Sequence, residues 1–416
     1  MKTEQGFSVS PGLGRALWWA YEHAPGHLDP VFQFGRRYVA AFFRHRLPLY
    51  RLSGFSPADG RKVTVITAGA AMTLDFLVER IFTTRPRAQH LGMVSLARLP
   101  GTLERIGADA DLTLACVPRA MARWCGGDRY LRVPALVSFR LGIGAHLEST
   151  LGAAAYNVRR DARRTVEAGY GWALSREPGD FDRFYHEFYA PFVRQRFGPL
   201  AVLREPPELR RHFRHGGGII WVRHAGRVVA GGLVRVGRGE LRALVEAVHP
   251  SWRSEVKPSP QFAVNIATFD IASELGIDVM DLGGTAPSLR DGVFRTKRAW
   301  GAAVQISAES HRQLLLRWSP GGNALLPLLQ AAPLLFEARG RLSAMAAVEP
   351  GQKADLAAGQ ELWRKLAPTG LDRLYLLDTT GTGHDLEVDM RTPDGRIRVC
   401  SPRDAASLNQ VAARDD

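Results

Sequence analysis

Between residues 155 and 282 the apolar residues switch between a helical and a strand period, and the order they set is helix, helix, three strands, helix, strand. No other feature narrows the available folds as far. A basic helix is predicted at about 155–168 and stops at Gly169, which suits a left-handed C-cap. A second helix over Asp180–Arg196 carries Phe181, Phe184, Tyr185, Phe188, Tyr189 and Phe192. The runs Ile219–Arg223, Arg227–Val236 and Leu241–Val248 read as strands separated by Ala225-Gly226 and by Gly237–Gly239, which predicts an antiparallel meander. A helix from Ser259 to Leu275 then leads into a short buried strand, Ile277, Val279, Met280 and Leu282, closed by Gly283-Gly284. Helices and strands interleaved in this order predict an α/β (α+β) domain, a mixed sheet with helices on its faces.

The segment 281–301, DLGGTAPSLRDGVFRTKRAWG, compresses a strand end, a glycine turn, the cations Arg295, Lys297 and Arg298, and Trp300 into one short stretch. Lys297 is one of only six lysines among 55 basic residues. A strand ending Asp281-Leu282-Gly283-Gly284, a loop with Asp291-Gly292 and then Lys297-x-x-Trp300-Gly301 resemble the closing motif of FemAB-like acyltransferases, members of the larger GNAT-like group, in which Lys-x-x-(Phe or Trp)-Gly stands at this place. Upstream, the stretch 157–170, NVRRDARRTVEAGY, resembles that family's basic helix ending in glycine. The resemblance covers roughly residues 150–310. It implies a GNAT-like mixed sheet flanked by helices in two tandem lobes, and a cytoplasmic transferase that moves an acyl or aminoacyl group onto an amine or hydroxyl. The corresponding domain scheme is an N-terminal helical segment over 1–60, a degenerate first lobe over 61–150, a second lobe over 151–310, and a C-terminal linker with a β appendage over 311–416.

Elsewhere the pattern is coarser. Residues 13–50 read as one or two helices with Val31, Phe32, Phe34, Tyr38, Val39, Phe42 and Phe43 among Arg36, Arg37, Arg44 and Arg46, either docked on a core or lying on an anionic membrane surface. VTVITAG from Val63, a helix over Ala71–Phe82, the strand Asp111–Val117 and the apolar stretch Arg129–Leu141 alternate as in the proposed first lobe. Ala324–Phe336, broken by Pro327 and Pro333, is a hairpin packed on the domain or a peripheral membrane contact. In the tail, Leu371–Leu377 and Leu386–Val399 flank turn signals and predict a small hairpin, or strands that complete the first lobe.

A formal charge of +14 favours an anionic partner, such as nucleic acid, a nucleotide-linked sugar, coenzyme A or an acidic lipid surface, although arginine-rich composition also follows from a GC-rich genome. Cys116, Cys125 and Cys400 have neither CxxC nor Cys/His spacing, so neither a disulfide framework nor a structural zinc is expected. The first residues lack a secretory signal pattern, and nowhere do 18 apolar residues run unbroken. No histidine falls into HExxH or HxH, and no P-loop or GxSxG elbow is present.

Acyl transfer needs few groups: a proton acceptor for the attacking amine and positive charge for the oxyanion. GNAT-like enzymes hold a cofactor pyrophosphate in a glycine-rich loop, yet the corresponding stretch here, His249–Gln261, has no glycine. It does contain Arg253, Lys257 and the helix start Ser259-Pro260, where an anion could dock; Arg238 is a weaker candidate. Lys297 is expected to meet a substrate phosphate or the oxyanion, with its stem on Trp300 as the plain structural alternative. Arg295 and Arg298 are expected on different sides of an extended segment. On the predicted helix, Arg159/Arg163 and Arg160/Arg164 stack as like-charged i, i+4 pairs, an arrangement that an anion would offset, with Tyr156 and Asn157 at its start. Asp281, Asp291, Glu246 and His249 are the candidate bases. The reading that follows takes Lys297 and Asp281 as catalytic, and Arg159, Arg160, Arg163, Arg164, Tyr156, Arg295, Trp300, Arg253 and Lys257 as substrate-binding. It expects no tightly bound cofactor and no metal, with aminoacyl-tRNA as donor or, alternatively, acyl-CoA. The expected partners are tRNA and an anionic acceptor, with peripheral contact to the inner face of the membrane as a further alternative. A non-catalytic basic GNAT-like binding module is the reading from a different class.

Overall fold

The computed structural model describes residues 46–69, 71–198, 201, 203–237, 239–252, 258–319, 322, 324–349, 351–377, 390–392 and 396–400. The helices expected before residue 46 lie outside the described residues. In chain order the strands are β1 (Arg46–Phe55), β2 (Lys62–Ala68), β3 (Arg87–Ser95), β4 (Leu112–Pro118), β5 (Leu131–Pro134), β6 (Val137–Gly142), β7 (Gly171–Ser175), β8 (Gly217–His224), β9 (Arg227–Gly237), β10 (Glu240–Val248), β11 (Val279–Thr285), β12 (Ala303–Ile306), β13 (Arg312–Trp318), β14 (Leu334–Ala338), β15 (Arg341–Ala347), β16 (Leu374–Leu377), β17 (Met390–Arg391) and β18 (Ile397–Cys400). The helices used below are α1 (Ala71–Ile81), α2 (Leu99–Ile106), α3 (Tyr156–Glu167), α4 (Pro178–Arg183), α5 (Ala190–Phe197), α6 (Pro206–Arg214), α7 (Pro260–Glu274), α8 (Gly292–Ala299), α9 (Leu325–Ala331) and α10 (Leu356–Leu366). Among the described residues no helix is long and apolar enough to cross a membrane.

The described residues divide into two compact units, one comprising Arg140–Gly283 and Ala299–Gly301, the other holding the remaining described residues. In the first unit the strands run in the order β6-β11-β10-β9-β8-β7. β8 to β10 form the antiparallel meander expected from the turns, β7, absent from the expected order, pairs antiparallel with β8, and β11 joins β10 in parallel after the α7 crossover. α7 is buried nearly all round, from Ala263 and Val264 to Ile271 and Ala272, because β8, β9 and β10 cover one side and α3 another. On the other face of the sheet, Phe181, Phe184, Phe188, Leu209 and Phe213 pack against Ile219, Trp221 and Leu233. The expected helix over 180–196 is interrupted by a π turn, Phe184–Tyr189, just before Pro191, which has no N–H to return to the preceding turn.

The second unit holds a six-stranded sheet, β3-β1-β2-β4-β13-β5, and a five-stranded one, β14-β15-β16-β18-β17. One core joins Leu52, Val65, Leu114 and Leu316 of the first sheet to α1, α9 and Leu334, Phe336, Tyr375 and Leu377 of the second; another lies on the first sheet's opposite face, under α2. Three expectations change here. Residues 46–50 are strand rather than helix: Leu47 and Leu49 alternate inward, and Pro48 does not suit a helix interior. Ala324–Phe336 is a short helix followed by a strand, with Leu325, Leu328, Leu329, Leu334 and Phe336 all buried in the core and not available to a membrane. The tail is no simple hairpin, since β16 and β18 pair in parallel and only the short β17 runs antiparallel to β18.

Candidate active site

β10 pairs with β9 along its whole length, but its parallel register with β11 covers only Glu240–Arg242 against Val279–Asp281. Past Arg242 the two strands part company, which opens the sheet between their second halves. Glu246 lies in that half of β10, opposite Gly232 of β9. A Cβ at Gly232 would come within 2.8 Å of Val264 Cγ1, so the missing side chain lets α7 settle directly onto the strands. That close approach brings two polar residues of the helix onto the Glu246 carboxylate. Gln261 Nε2 donates to Oε1 at 2.7 Å, and Asn265 Nδ2 donates to Oε2 at 3.2 Å. The Gln261 carbonyl oxygen in turn accepts from Arg196 Nη1 at 2.9 Å, which fixes which end of the amide faces the carboxylate. Glu246 is half-buried, and each of its oxygens is oriented by a neutral donor, the arrangement a positioned proton acceptor needs.

The other candidate bases are placed differently. Asp281 faces Arg242 across the parallel register, with Oδ2 3.4 Å from Nε, and its Oδ1 accepts from the Gly283 amide at 2.8 Å. His249 packs edge-on against Phe188, and its Nδ1 lies 2.7 Å from Ser251 Oγ. Asp291 caps α8: its Oδ1 accepts from the Phe294 amide at 2.9 Å and from Thr285 Oγ1 at 2.8 Å.

The cap corrects the extended conformation expected around Lys297. Residues 292–299 are helical, so Arg295 and Arg298 lie one turn apart on the same side. Burial, and then the neighbouring Arg295 guanidinium, lower the Arg298 pKa, and Arg298 donates to the Lys365 carbonyl. Lys297 Nζ donates to the Gly284 carbonyl at 2.9 Å. Lys297 belongs to one compact unit and Asp281 to the other. Trp300 is 3% exposed, with its ring 4.8 Å from that of Phe262 and 5.0 Å, edge-on, from that of Phe269. Gly301 follows at φ +80°, and a Cβ there would sit 2.8 Å from the Ala153 carbonyl carbon. With the Ala155 amide donating to the Ala299 carbonyl at 2.8 Å, the Trp300-Gly301 pair is fastened to the start of α3.

α3 buries Val158, Ala162 and Thr165 and turns Tyr156, Arg159, Arg160, Arg163 and Arg164 outward, with Tyr156 71% exposed. Asp161 takes up Arg160 at 3.0 Å and Arg164 at 3.9 Å. Among the described residues Arg159 and Arg163 pair with no acidic side chain, and they share the helix face of Tyr156. Ser259 caps α7 by accepting from the Phe262 amide, and Tyr170 anchors the preceding turn by donating to the Pro258 carbonyl at 3.0 Å. Arg238, Arg253 and Lys257 lie outside the described residues. Gln261, Asn265 and Arg196 were not singled out from the sequence; the available signal was a polar pair at i, i+4 in the apolar run PQFAVNIATF.

Residues 152–298 match the family model described as an acetyltransferase (GNAT) domain. This segment resembles a GNAT domain. The family match overlaps the stretch in which the closing motif and the arginine helix resemble FemAB-like transferases. No curated protein sequence matches the chain significantly. Among solved structures, FemX is similar at 12% identity and TM-score 0.34, covering 66% of this chain and 85% of that one. The lysylphosphatidylglycerol synthetase L-PGS from Bacillus licheniformis is similar at 11% and 0.33, covering 67% and 87%. The C-terminal domain of a putative lysylphosphatidylglycerol synthetase from Agrobacterium fabrum stands at 12% and 0.34, covering 66% and 86%.

Proposed function

We propose that this chain is an acyltransferase that moves an aminoacyl group from aminoacyl-tRNA onto an amine or hydroxyl of an anionic acceptor, with Glu246 as the base. The observation that carries the reading is the Glu246 carboxylate, held at both oxygens by Gln261 and Asn265 where β10 and β11 separate inside the segment that resembles a GNAT domain. The acceptor amine attacks the ester carbonyl, forming the C–N bond; its proton passes to Glu246, and the bond to the ribose oxygen breaks as Glu246 delivers that proton to the leaving oxygen. Asp281 is less suited to the base role, because its Oδ2 lies 3.4 Å from the Arg242 guanidinium, and a neighbouring cation makes a carboxylate a poorer proton acceptor. In this reading Arg159 and Arg163 meet the donor's phosphates, and Lys297, which belongs to the other unit, is tested separately by substitution.

The absence of glycine from His249–Gln261 and the exposed arginines of α3 favour aminoacyl-tRNA over an acyl-CoA. The test is donor consumption by the purified protein with labelled aminoacyl-tRNA, with and without ribonuclease, beside a panel of acyl-CoAs. Ribonuclease-sensitive turnover that Lys297→Ala and Glu246→Gln abolish is the expected result. Turnover with CoA thioesters alone would overturn the tRNA donor, and turnover with neither would favour a binding module.

A further inference from the structure

A cavity of about 640 Å³ opens in the first unit where β7 ends and β8 begins, lined by Arg176, Phe181, Asp182, Arg210, Arg214 and Gly217 among others. The proposed chemistry does not use it. It lies on the face of the sheet where Phe181 and Phe213 pack, whereas Glu246 is held by α7 on the opposite face. A ligand in this cavity therefore does not share the Glu246 site.

Three features define what it would hold. Three guanidinium groups line it against the carboxylate of Asp182, so its charge is positive. Arg210 is fixed in place: Nη2 lies 2.6 Å from Asp182 Oδ1 and the guanidinium carbon stands 5.0 Å above the Phe181 ring, a planar fork already ordered before any ligand arrives. Arg176 is exposed and has no ion pair among the described residues. A Cβ at Gly217 would stand 2.5 Å from the His212 carbonyl oxygen, so α6 can close on β8 only at a residue without a side chain. The volume falls within the roughly 300–1,000 Å³ of small-molecule sites.

We propose that this cavity is a second anion site that binds the phosphate or diphosphate group of a phosphorylated small molecule through Arg176, Arg210 and Arg214. Inorganic pyrophosphate is the probe, titrated calorimetrically into the full chain carrying R159Q/R163Q, so that the arginines of α3 do not contribute. A saturable isotherm is expected, weakened at least tenfold by adding R176Q/R214Q and several-fold by R210K, which keeps the charge but loses the planar fork; circular dichroism checks that the variants stay folded. Pyrophosphate affinity within twofold after R176Q/R214Q would overturn the assignment. So would the absence of a saturable isotherm; if anionic phospholipid vesicles then bind and R176Q/R214Q abolishes that binding, the phosphate belongs to a lipid surface.

Discussion

Replacing Glu246 by glutamine keeps the shape of the side chain and removes its charge, and the hydrogen bonds around it predict two separable consequences. Gln261 and Asn265 both present N–H groups to the carboxylate. An amide at position 246 can accept from one of them but must turn its own NH2 toward the other, replacing one charge-assisted bond with two opposed donors. The loss is about 1.5–3 kcal/mol for the bond, reduced by the partial exposure of the site, and corresponds to a fall in Tm of roughly 4–8 °C for a unit of this size. Independently, removal of a general base lowers the chemical step about 100- to 10,000-fold. Adding Q261E separates the two. The new amide at 246 then donates to the new carboxylate at 261, which keeps the Arg196 guanidinium as a partner, while Asn265 still donates to the carbonyl oxygen of that amide. Melting should return close to wild type in E246Q/Q261E while the single-turnover rate stays low. If E246Q keeps its rate within threefold and only the melting changes, the carboxylate is structural and the proposed base is wrong.

The R159Q/R163Q variant should melt no lower than wild type, since like charges on one helix face are relieved, while its affinity for tRNA falls and the slope of log affinity against log salt flattens by about 1–2 units; an unchanged slope in filter binding would remove α3 from the donor site. Trp300→Ala should cost about 3–5 kcal/mol by emptying the space between Phe262 and Phe269, and Gly301→Ala about 2–4 kcal/mol from its positive φ and the contact with Ala153; denaturant titrations that show less than about 1 kcal/mol for both would refute the fastening of this turn to α3. Cys116, Cys125 and Cys400 are all buried, so a thiol reagent should label none of them in the native protein at pH 8 and all of them in denaturant. Burial pushes the Cys125 thiol up from 9.0 to about 11. The unfolded chain therefore loses this proton first, and the associated stability, complete below about pH 9, drains away as the pH rises to about 11; Cys125→Ala should show a shallower decline in Tm across that window.

Much of the order from α3 to β11 was legible because β8 and β9 end in glycine turns and each pairs with the next strand, as Arg227–Gly237 does with Glu240–Val248, whereas β7 and α6 were not expected. The second unit was not legible to the same degree. β13 inserts between β4 and β5, matching Gln313 to Val117 across nearly 200 residues, and no local pattern encodes such a pairing. Parallel β16 and β18 look like a hairpin in sequence because strand direction depends on the connection between them. At the site, Glu246 could be nominated from its strand, but so could Asp281, and both are acidic residues on adjacent strands. They differ in what reaches them: Arg242 faces one across the ladder, while a helix lowered onto Gly232 brings two amides to the other.

The two stretches that carry the family resemblance, 157–170 and 295–301, are far apart in sequence, yet the second fastens the start of the first. Ala299 receives the Ala155 amide, Gly301 fits against Ala153, and Trp300 wedges into α7, on which α3 lies. A tryptophan and glycine in this turn can therefore govern anion binding without touching an anion, because they set where Tyr156, Arg159 and Arg163 stand. On that argument the closing motif contains two different roles. Lys297, which lies on α8 and has an ammonium group to offer, should change the rate with tRNA affinity preserved, whereas changes at Trp300 or Gly301 should weaken tRNA binding and stability together and leave the rate at saturating donor nearly intact. If Trp300→Ala lowers that saturated rate as much as Lys297→Ala does, the tryptophan belongs with the lysine in the chemistry and the division fails.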